Sequence, residues 1–467
     1  MVKARRVNMI NGPILKNLII FSLPVMALNV LQIIFHATDI AVLGIYSSDR
    51  AVAAVGATTA LVNLFINFFT GFSTGTNVLV ARAIGEKDAE KAQKFIGTSM
   101  FCSVFVGMFL SIIMLIGARY FLTWMNCPDN ILDMATLYIR VYFLGMPLIL
   151  LYNFSAAIMR AVGDTMRPLY FLIIGGVANV LLNIFFVCVL NVHVAGVAVA
   201  TIISKTITAF LSIRVLLKND TIAKLKKENL KFYKQEIKEI VYLGLPAGIQ
   251  TSLFSLSNVV FSSTFNKFGD IAISGNTIGK EFDSIISNAL AGFNSATLSF
   301  SSQNLGAKNY KRVWKIVGYS LLFSTGLGLF MGIIVYAFSK ELCGLMTDSM
   351  EVISVAQRRL SIMATTHFLS SIMAIFSNLL KAMKKPILSM VGSIFFTLIL
   401  RLVWIYTIFP LNPTLETYYI IYPITWALCA IAFAIVGLPM LASLEKKHKK
   451  ELEVNDENLQ QPNKVAG

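Results

Sequence analysis

The stretch LPVMALNVLQIIFHATDIAVLG, residues 23–44, carries one carboxylate, Asp39, in a run that is otherwise compatible with lipid. From Asn17 to Ser48, only His36 and Asp39 change charge near neutral pH. A charge at the bilayer centre costs about 2.5–3.5 kcal/mol by insertion scales, so an intramembrane acid indicates a functional site. The alternative is that Asp39 lies near the outer end of a tilted helix and reaches water, although four apolar residues still follow it.

The composition indicates a polytopic membrane protein. Of the 467 residues, 56% are hydrophobic and 14% are charged, and the mean hydropathy is +0.71. A soluble domain carries about 25% charged residues. The five cysteines show no CxxC spacing and there are only four histidines, so neither a disulfide framework nor a zinc site is predicted. We expect no resident cofactor.

Twelve apolar runs approach or exceed the roughly 20 residues that cross a bilayer. The predicted spans are 14–45, 52–80, 95–118, 131–156, 168–190, 195–217, 238–266, 272–303, 314–338, 354–379, 386–409 and 418–442. Most Lys and Arg residues lie in the N-terminus, the even-numbered turns and the C-terminal tail, which predicts that both termini are cytoplasmic. The net charge of +16 is therefore attributed to topology and not to nucleic-acid binding.

Polar segments divide the chain into four parts. We predict an N-terminal six-helix lobe at 1–217, a cytoplasmic linker at 218–237, a C-terminal six-helix lobe at 238–445 and a disordered cytoplasmic tail at 446–467. The linker could also contain a short amphipathic helix on the membrane surface.

The two halves repeat each other at an offset near 220 residues. Four landmarks recur in the same order: LP at 23 and 245, VAAVGATT at 52 as IAISGNTI at 271, ARAIGEKDAEKAQK at 81 as SQNLGAKNYKRVWK at 302, and RAVGDTMRP at 160 as KAMKKP at 381. Each half has six spans, so both halves begin on the same side. The predicted fold is all-α, with twelve transmembrane helices in two parallel six-helix repeats around a central cavity.

These motifs carry a resemblance that extends to about residue 445. FHATDIAVLG at 35–44, GFSTGTNVLVARAIGEKD at 71–88, RAVGDTMRP at 160–168 and ANVLLNIFFV from residue 178 resemble the multidrug and toxic compound extrusion (MATE) family. The resemblance implies export of organic, often cationic, compounds in exchange for protons or sodium ions. It also implies an ion site in the N-terminal lobe.

Four residues match that ion site. Asp39 matches the acid of the first helix, Asn179 the first polar residue of the fifth-helix motif and Thr201 the sixth-helix threonine, whereas Asn183 stands where many members have a second Asp. Asn179 and Asn183 are four apart and share a helix face. Their oxygens suit sodium and can also hydrogen-bond a protonated Asp39. The alternative is that the asparagines only bridge helices.

The C-terminal lobe carries a second candidate charge site. Lys280, Glu281 and Asp283 lie in the predicted eighth helix, and Lys280 can pair with Asp283 on one helix face. Asp283 resembles an acid of many Gram-positive members, and Arg401 is a candidate to neutralise Asp283 or Glu281. A structural salt bridge and a substrate-facing role both remain open.

The resulting hypothesis is a bacterial plasma-membrane antiporter, monomeric, whose partners are small-molecule substrates and the lipid bilayer. A flippase of a lipid-linked or polysaccharide precursor is the alternative, although such proteins more typically have extra helices and a cavity rich in cations. An enzyme is not supported, because no catalytic motif is present. With only one acid in the ion site, proton coupling is favoured over sodium coupling, because burial favours the neutral form of a lone carboxylate.

Overall fold

The computed structural model describes residues 6–218, 222–265 and 268–460, and these ranges are almost entirely helical, with no β-strand. Backbone alone is described at 255, 256, 258–260, 262, 263 and 455–460. The fold class predicted from the sequence is therefore confirmed.

The N-terminal lobe contains seven helices. They are α1 (Ile14–Tyr46), α2 (Asp49–Gly85), α3 (Ala89–Trp124), α4 (Asp129–Leu144), α5 (Met146–Ala161), α6 (Met166–Ile184) and α7 (His193–Leu217). A π-helical turn, Phe185–Val189, extends α6. Helices α4 and α5 form one span that bends by 50° at Gly145, two residues before Pro147. Proline favours such a break because its backbone nitrogen carries no hydrogen and cannot donate the helical hydrogen bond.

The C-terminal lobe repeats this arrangement. Its helices are α8 (Lys234–Phe265), α9 (Asp270–Gly306), α10 (Tyr310–Ala337), α11 (Ser339–Gly344), α12 (Met350–Thr366), α13 (Phe368–Ala382), α14 (Pro386–Ile394), α15 (Leu400–Thr407) and α16 (Leu415–Gln460). A π-helical turn, Phe395–Ile399, follows α14 in the same way as Phe185–Val189 follows α6. Helices α12 and α13 bend by 41°, as α4 and α5 do by 50°. The shared bend and π-helical turn show that the two halves are structural repeats.

Each predicted span has a helical counterpart. Within the described ranges, eight helices are long and apolar enough to cross a membrane, and the two bent pairs bring the number to ten. Helices α8 and α9, with 32 and 37 residues, are also long enough. Both pack against helices of the other lobe.

The two lobes are joined in the half of the molecule that carries the chain termini. Six hydrogen bonds illustrate the junction: Asn29 to Asn288 O (3.4 Å), Thr251 to Asn67 O (2.8 Å), Ser299 to Asn77 (3.2 Å), Gln303 to Ala161 O (2.6 Å), Arg82 to Ala382 O (3.0 Å) and Asn304 to Met9 O (3.1 Å). In the part of the chain that the structure describes, no inter-lobe hydrogen bond lies much beyond the middle of α1, α2, α8 and α9. The hydrogen bonds of the described residues thus join the lobes at the end that carries the termini.

The last helix differs from the prediction of a disordered tail, because α16 is helical as far as Gln460 and only the final seven residues lie outside the described part. Glu445 accepts a hydrogen bond from Trp314 Nε1 at 3.1 Å and pairs with Lys449 at 3.5 Å. Opposite charges four residues apart stabilise a helix. The polar composition of the tail did not indicate that Glu445 would make these contacts within a helix.

The linker is shorter than the predicted range 218–237. Helix α8 already begins at Lys234, and a single 3-10 turn, Lys227–Asn229, precedes it. No amphipathic helix occurs in the described linker residues, and 219–221 lie outside them. The segment packs on α3, where the Thr98 hydroxyl donates to Lys231 O at 3.4 Å.

Candidate functional site

The N-terminal lobe contains a cavity of about 420 Å³. Helices α1, α2, α4, α5, α6 and α7 line it, and the other lobe contributes Asn288 of α9. Asp39 lines this cavity, seven residues before α1 ends at Tyr46. The structure thus places Asp39 on the wall of a cavity between helices, seven residues inside the helix end.

The four residues of the predicted ion site come together. Asn183 Nδ2 donates to Asp39 Oδ1 at 2.5 Å and lies 3.4 Å from Asn179 Oδ1. Asn179 Nδ2 in turn lies 3.5 Å from Thr201 Oγ1. Three helices, α1, α6 and α7, thus bring one carboxylate, two amides and one hydroxyl into a continuous polar chain.

Local packing explains how α6 presents both asparagines to α1. Gly176, one turn from Asn179, packs against the ring of Phe35, and a Cβ there would overlap the ring. The absence of a side chain lets the two helices approach closely. Asn179 and Asn183 follow on the same face at intervals of about one turn, so Asn183 reaches Asp39 and Asn179 reaches Asn183 and Thr201.

Two basic residues of the cavity were not identified from the sequence. Lys205 of α7 and Arg160 of α5 both line it. Lys205 lies close enough to Asp39 for the two charges to interact, and its Nζ lies 5.7 Å above the centre of the Tyr152 ring. Lys205 is the only charged residue in the apolar run 194–213, which is the signal that could have identified it.

In the C-terminal lobe, Asp283 pairs with Arg359 of α12. Asp283 Oδ2 lies 2.8 Å from Arg359 Nε and 2.7 Å from Nη2, and both residues are buried. Arg359 Nη1 also donates to Asn276 Oδ1 at 2.7 Å, and Tyr419 donates to the same oxygen at 3.2 Å. This network ties α9 to α12 and α16.

Two expectations for this lobe are wrong. Asp283 does not pair with Lys280, because Asp283 is buried against α12 whereas Lys280 and Glu281 are exposed. Arg401 neutralises neither acid. Its Nε donates to Thr425 Oγ1 at 3.1 Å, and its guanidinium lies 4.3 Å from the centre of the Tyr422 ring, so hydroxyl and aromatic contacts replace the expected carboxylate.

Comparison with known proteins gives the family. The MatE family profile matches twice, over residues 24–185 and 246–407. These two matches cover more than half of the chain and coincide with the two structural repeats. The chain therefore belongs to the MATE family of multidrug efflux transporters.

Several bacterial relatives are similar along most of their length. The probable multidrug resistance protein YoeA of Bacillus subtilis is 27% identical over 390 residues, covering 81% of this chain and 84% of the relative. The probable multidrug resistance protein NorM of Thermotoga maritima is 26% identical over 76% of this chain and 77% of its own. The multidrug export protein MepA of Staphylococcus aureus is 21% identical over 79% and 82%.

Solved structures agree in fold. An outward-facing multidrug resistance MATE family transporter of the MOP superfamily superposes with a TM-score of 0.88 at 22% identity, over 96% of this chain and 100% of that one. A MOP superfamily transporter from Pyrococcus furiosus gives 0.87 at 22% identity, over 95% and 100%. The protein is thus a multi-pass membrane transporter by family and fold.

Proposed function

We propose that this protein is a monomeric, cation-coupled antiporter that exports organic compounds across a bacterial plasma membrane, without covalent chemistry. The observation that carries the proposal is the meeting of Asp39, Asn183, Asn179 and Thr201 at a cavity large enough for a small organic molecule. A ligand can drive alternating access only if it binds the two states unequally. A carboxylate that gains and loses a cation supplies such a difference.

The coupling cation in this proposal is the proton. The site has one formal negative charge, and Lys205 nearby reduces the local attraction for sodium further. A sodium ion would lose its hydration shell for little Coulombic return. A proton needs no such cage, because Asp39 alone accepts it.

A cationic cargo follows because the cargo and the proton would compete for Asp39. An ionised Asp39 attracts a positively charged organic group, and a proton that neutralises Asp39 removes this attraction. Proton entry and cargo release are then two sides of one exchange. The tyrosines of the cavity, Tyr138, Tyr142 and Tyr152, suit an organic cation through their ring faces.

Both termini are cytoplasmic in this proposal, as the distribution of Lys and Arg favours. The half of the molecule in which the lobes are joined would then be cytoplasmic, and the cavity would be reached from outside. The test is an introduced cysteine at position 228 and a tag at the C-terminus. Labelling of residue 228 by an impermeant reagent in intact cells would refute this orientation.

A flippase for a lipid-linked or polysaccharide precursor is the second candidate. The observation in its favour is that Lys205 and Arg160 line the cavity, since cationic side chains bind phosphate. The number of spans favours the antiporter, because the flippase relatives more typically have additional helices. Flipping of a fluorescent lipid phosphate by purified protein in proteoliposomes, without a cation gradient, would favour the flippase.

The antiport proposal is tested by drug efflux from inverted vesicles under an imposed pH gradient without sodium, and separately under a sodium gradient at constant pH. We expect a response to the pH gradient and its loss in Asp39→Asn, which keeps the side-chain shape but cannot change charge. Asp348→Asn, at an exposed loop position, is the matched control and should transport normally. Full transport by Asp39→Asn, or a response to sodium alone, would overturn the proposal.

A further inference from the structure

Besides the His36 imidazole, the cavity contains two basic side chains that the ion site does not use, Lys205 and Arg160. None of the ion pairs in the described ranges includes either residue. Among the described residues, Asp39 is the only acid that lines the cavity. With Asp39 ionised, these three side chains carry a net charge of one positive unit, which does not match a simple cation as the complete cargo.

The basic pair lies deeper in the cavity than the ion site. Lys205 follows Thr201 by four residues on α7, so it shares the face that contacts Asn179 and lies about one turn, roughly 5–6 Å, nearer the chain termini. Arg160 belongs to the last turn of α5, at the same end of the molecule. The Tyr152 ring lies beside Lys205 and also interacts with Arg160. The cavity thus has an acidic level and a basic level.

Unpaired cations inside a membrane protein are costly to retain. Arginine and lysine bind carboxylates and phosphates through charge-assisted hydrogen bonds, and arginine can use two parallel ones. Among the described residues no carboxylate lies within ion-pair distance of either side chain, and Asp39 interacts with Lys205 only at longer range, so a bound ligand can supply a nearer counter-charge.

We propose that Lys205 and Arg160 form an anion-binding subsite, and that the cargo is amphoteric. Its cationic group lies at Asp39 and its carboxylate or other acidic group lies one to two helical turns deeper. The inference rests on the proposed antiport function and specifies its substrate class. A purely anionic cargo is incompatible with that function, because protonation of Asp39 would strengthen its binding and the proton and cargo would travel together.

The test uses a matched pair of probes, a xanthylium dye as its zwitterionic free acid and as its methyl ester. Binding to purified protein in nanodiscs is measured by fluorescence anisotropy at pH 8. We expect wild-type protein to bind the free acid at least about tenfold more tightly than the ester, since each charge-assisted hydrogen bond contributes about that factor. Lys205→Met and Arg160→Gln should each reduce this ratio several-fold, and Lys205→Met should tighten ester binding because it removes a positive charge near Asp39.

Two further variants control for folding and for general charge. Lys205→Arg keeps the charge and should keep the preference for the free acid. Lys340→Met removes an exposed lysine and should change neither dissociation constant. A wild-type ratio near one, a ratio that survives both Lys205→Met and Arg160→Gln, or absence of binding by both dyes would overturn the subsite. Proton-driven export of the ester without preference for the acid would overturn it and leave the antiport function standing.

Discussion

Asn183 donates one hydrogen bond to Asp39 Oδ1, at 2.5 Å, while its own Oδ1 is buried and has no hydrogen-bond partner among the described residues. An amide can donate to a carboxylate and accept from a carboxylic acid. A small rotation of the Asn183 side chain therefore provides a partner for Asp39 in both protonation states. A second aspartate at this position, when ionised, could not donate to an ionised Asp39.

The affinity for a monocationic drug should increase with pH. Ionised Asp39 binds the cation and protonated Asp39 does not, so raising the pH raises the fraction of competent sites. The dissociation constant should fall by up to about tenfold per pH unit while Asp39 is mostly protonated, and then level off. Equilibrium binding of the methyl ester dye between pH 5 and pH 9 measures this. Asp39→Asn should show a flat profile, and a wild-type profile equally flat would contradict proton competition.

The contribution of Asp283 to stability should depend on Arg359, and that of Arg359 on Asp283. Removing one partner leaves a buried unpaired charge, which costs about 3–5 kcal/mol, whereas replacing both by neutral residues costs much less. Asp283→Asn and Arg359→Met should each lower the midpoint of thermal unfolding, and the double variant should recover most of the loss. Lys280→Met removes an exposed lysine of the same helix and is the control, so it should leave the unfolding midpoint unchanged. Equal losses that simply add in the double variant would show that the pair is not coupled.

The sequence predicted the Asp39 site better than the Asp283 site for a physical reason. Asn179 and Asn183 are one turn apart, so their shared face follows from helix geometry alone, and the family motif supplied Asp39 and Thr201. The partner of Asp283 lies 76 residues away on another helix, and which helices pack together is decided by the whole lobe.

Lys205 and Glu445 illustrate two other limits of sequence-based prediction. Lys205 could have been recognised as an isolated charge in a span, but its position beside Tyr152 depends on how α5 and α7 pack. Glu445 lies where the polar tail begins, and it accepts a hydrogen bond from Trp314 of α10. Composition alone could not predict that contact.

Gly75 should control closure of the lobes at the end near the termini. A Cβ at Gly75 would lie 2.6 Å from Gly244 N and 2.9 Å from Gly244 Cα, closer than real Cβ contacts, so α2 and α8 would have to separate. Gly75→Ala should lengthen the distance between spin labels at Glu90→Cys and Lys311→Cys, measured by electron–electron double resonance. Gly56→Ala on the same helix has open space and serves as the control. Unchanged distances in Gly75→Ala would show that the backbone contact does not hold the lobes together.

Asn183→Asp should convert the site from proton to sodium responsiveness. The substitution adds a second carboxylate beside Asp39 and keeps Asn179 and Thr201, which gives sodium four oxygen-bearing side chains and two formal charges. Binding should stabilise the variant by about 1 kcal/mol when sodium is at roughly five times its dissociation constant, seen as a sodium-dependent rise in unfolding temperature. Drug efflux should then also respond to a sodium gradient at constant pH.

The matched control for that conversion is Asn63→Asp, which adds the same charge to the wall of the same cavity but on α2, outside the four-residue site. If both variants gain the same sodium response, the effect is the net charge of the cavity and not a coordination shell. If neither responds, the oxygens of Asp39, Asn179, Asn183 and Thr201 do not converge closely enough to hold an ion. A sodium response already present in the wild-type protein would mean that a single carboxylate with amide and hydroxyl ligands suffices, because the amide oxygens then compensate for the missing charge.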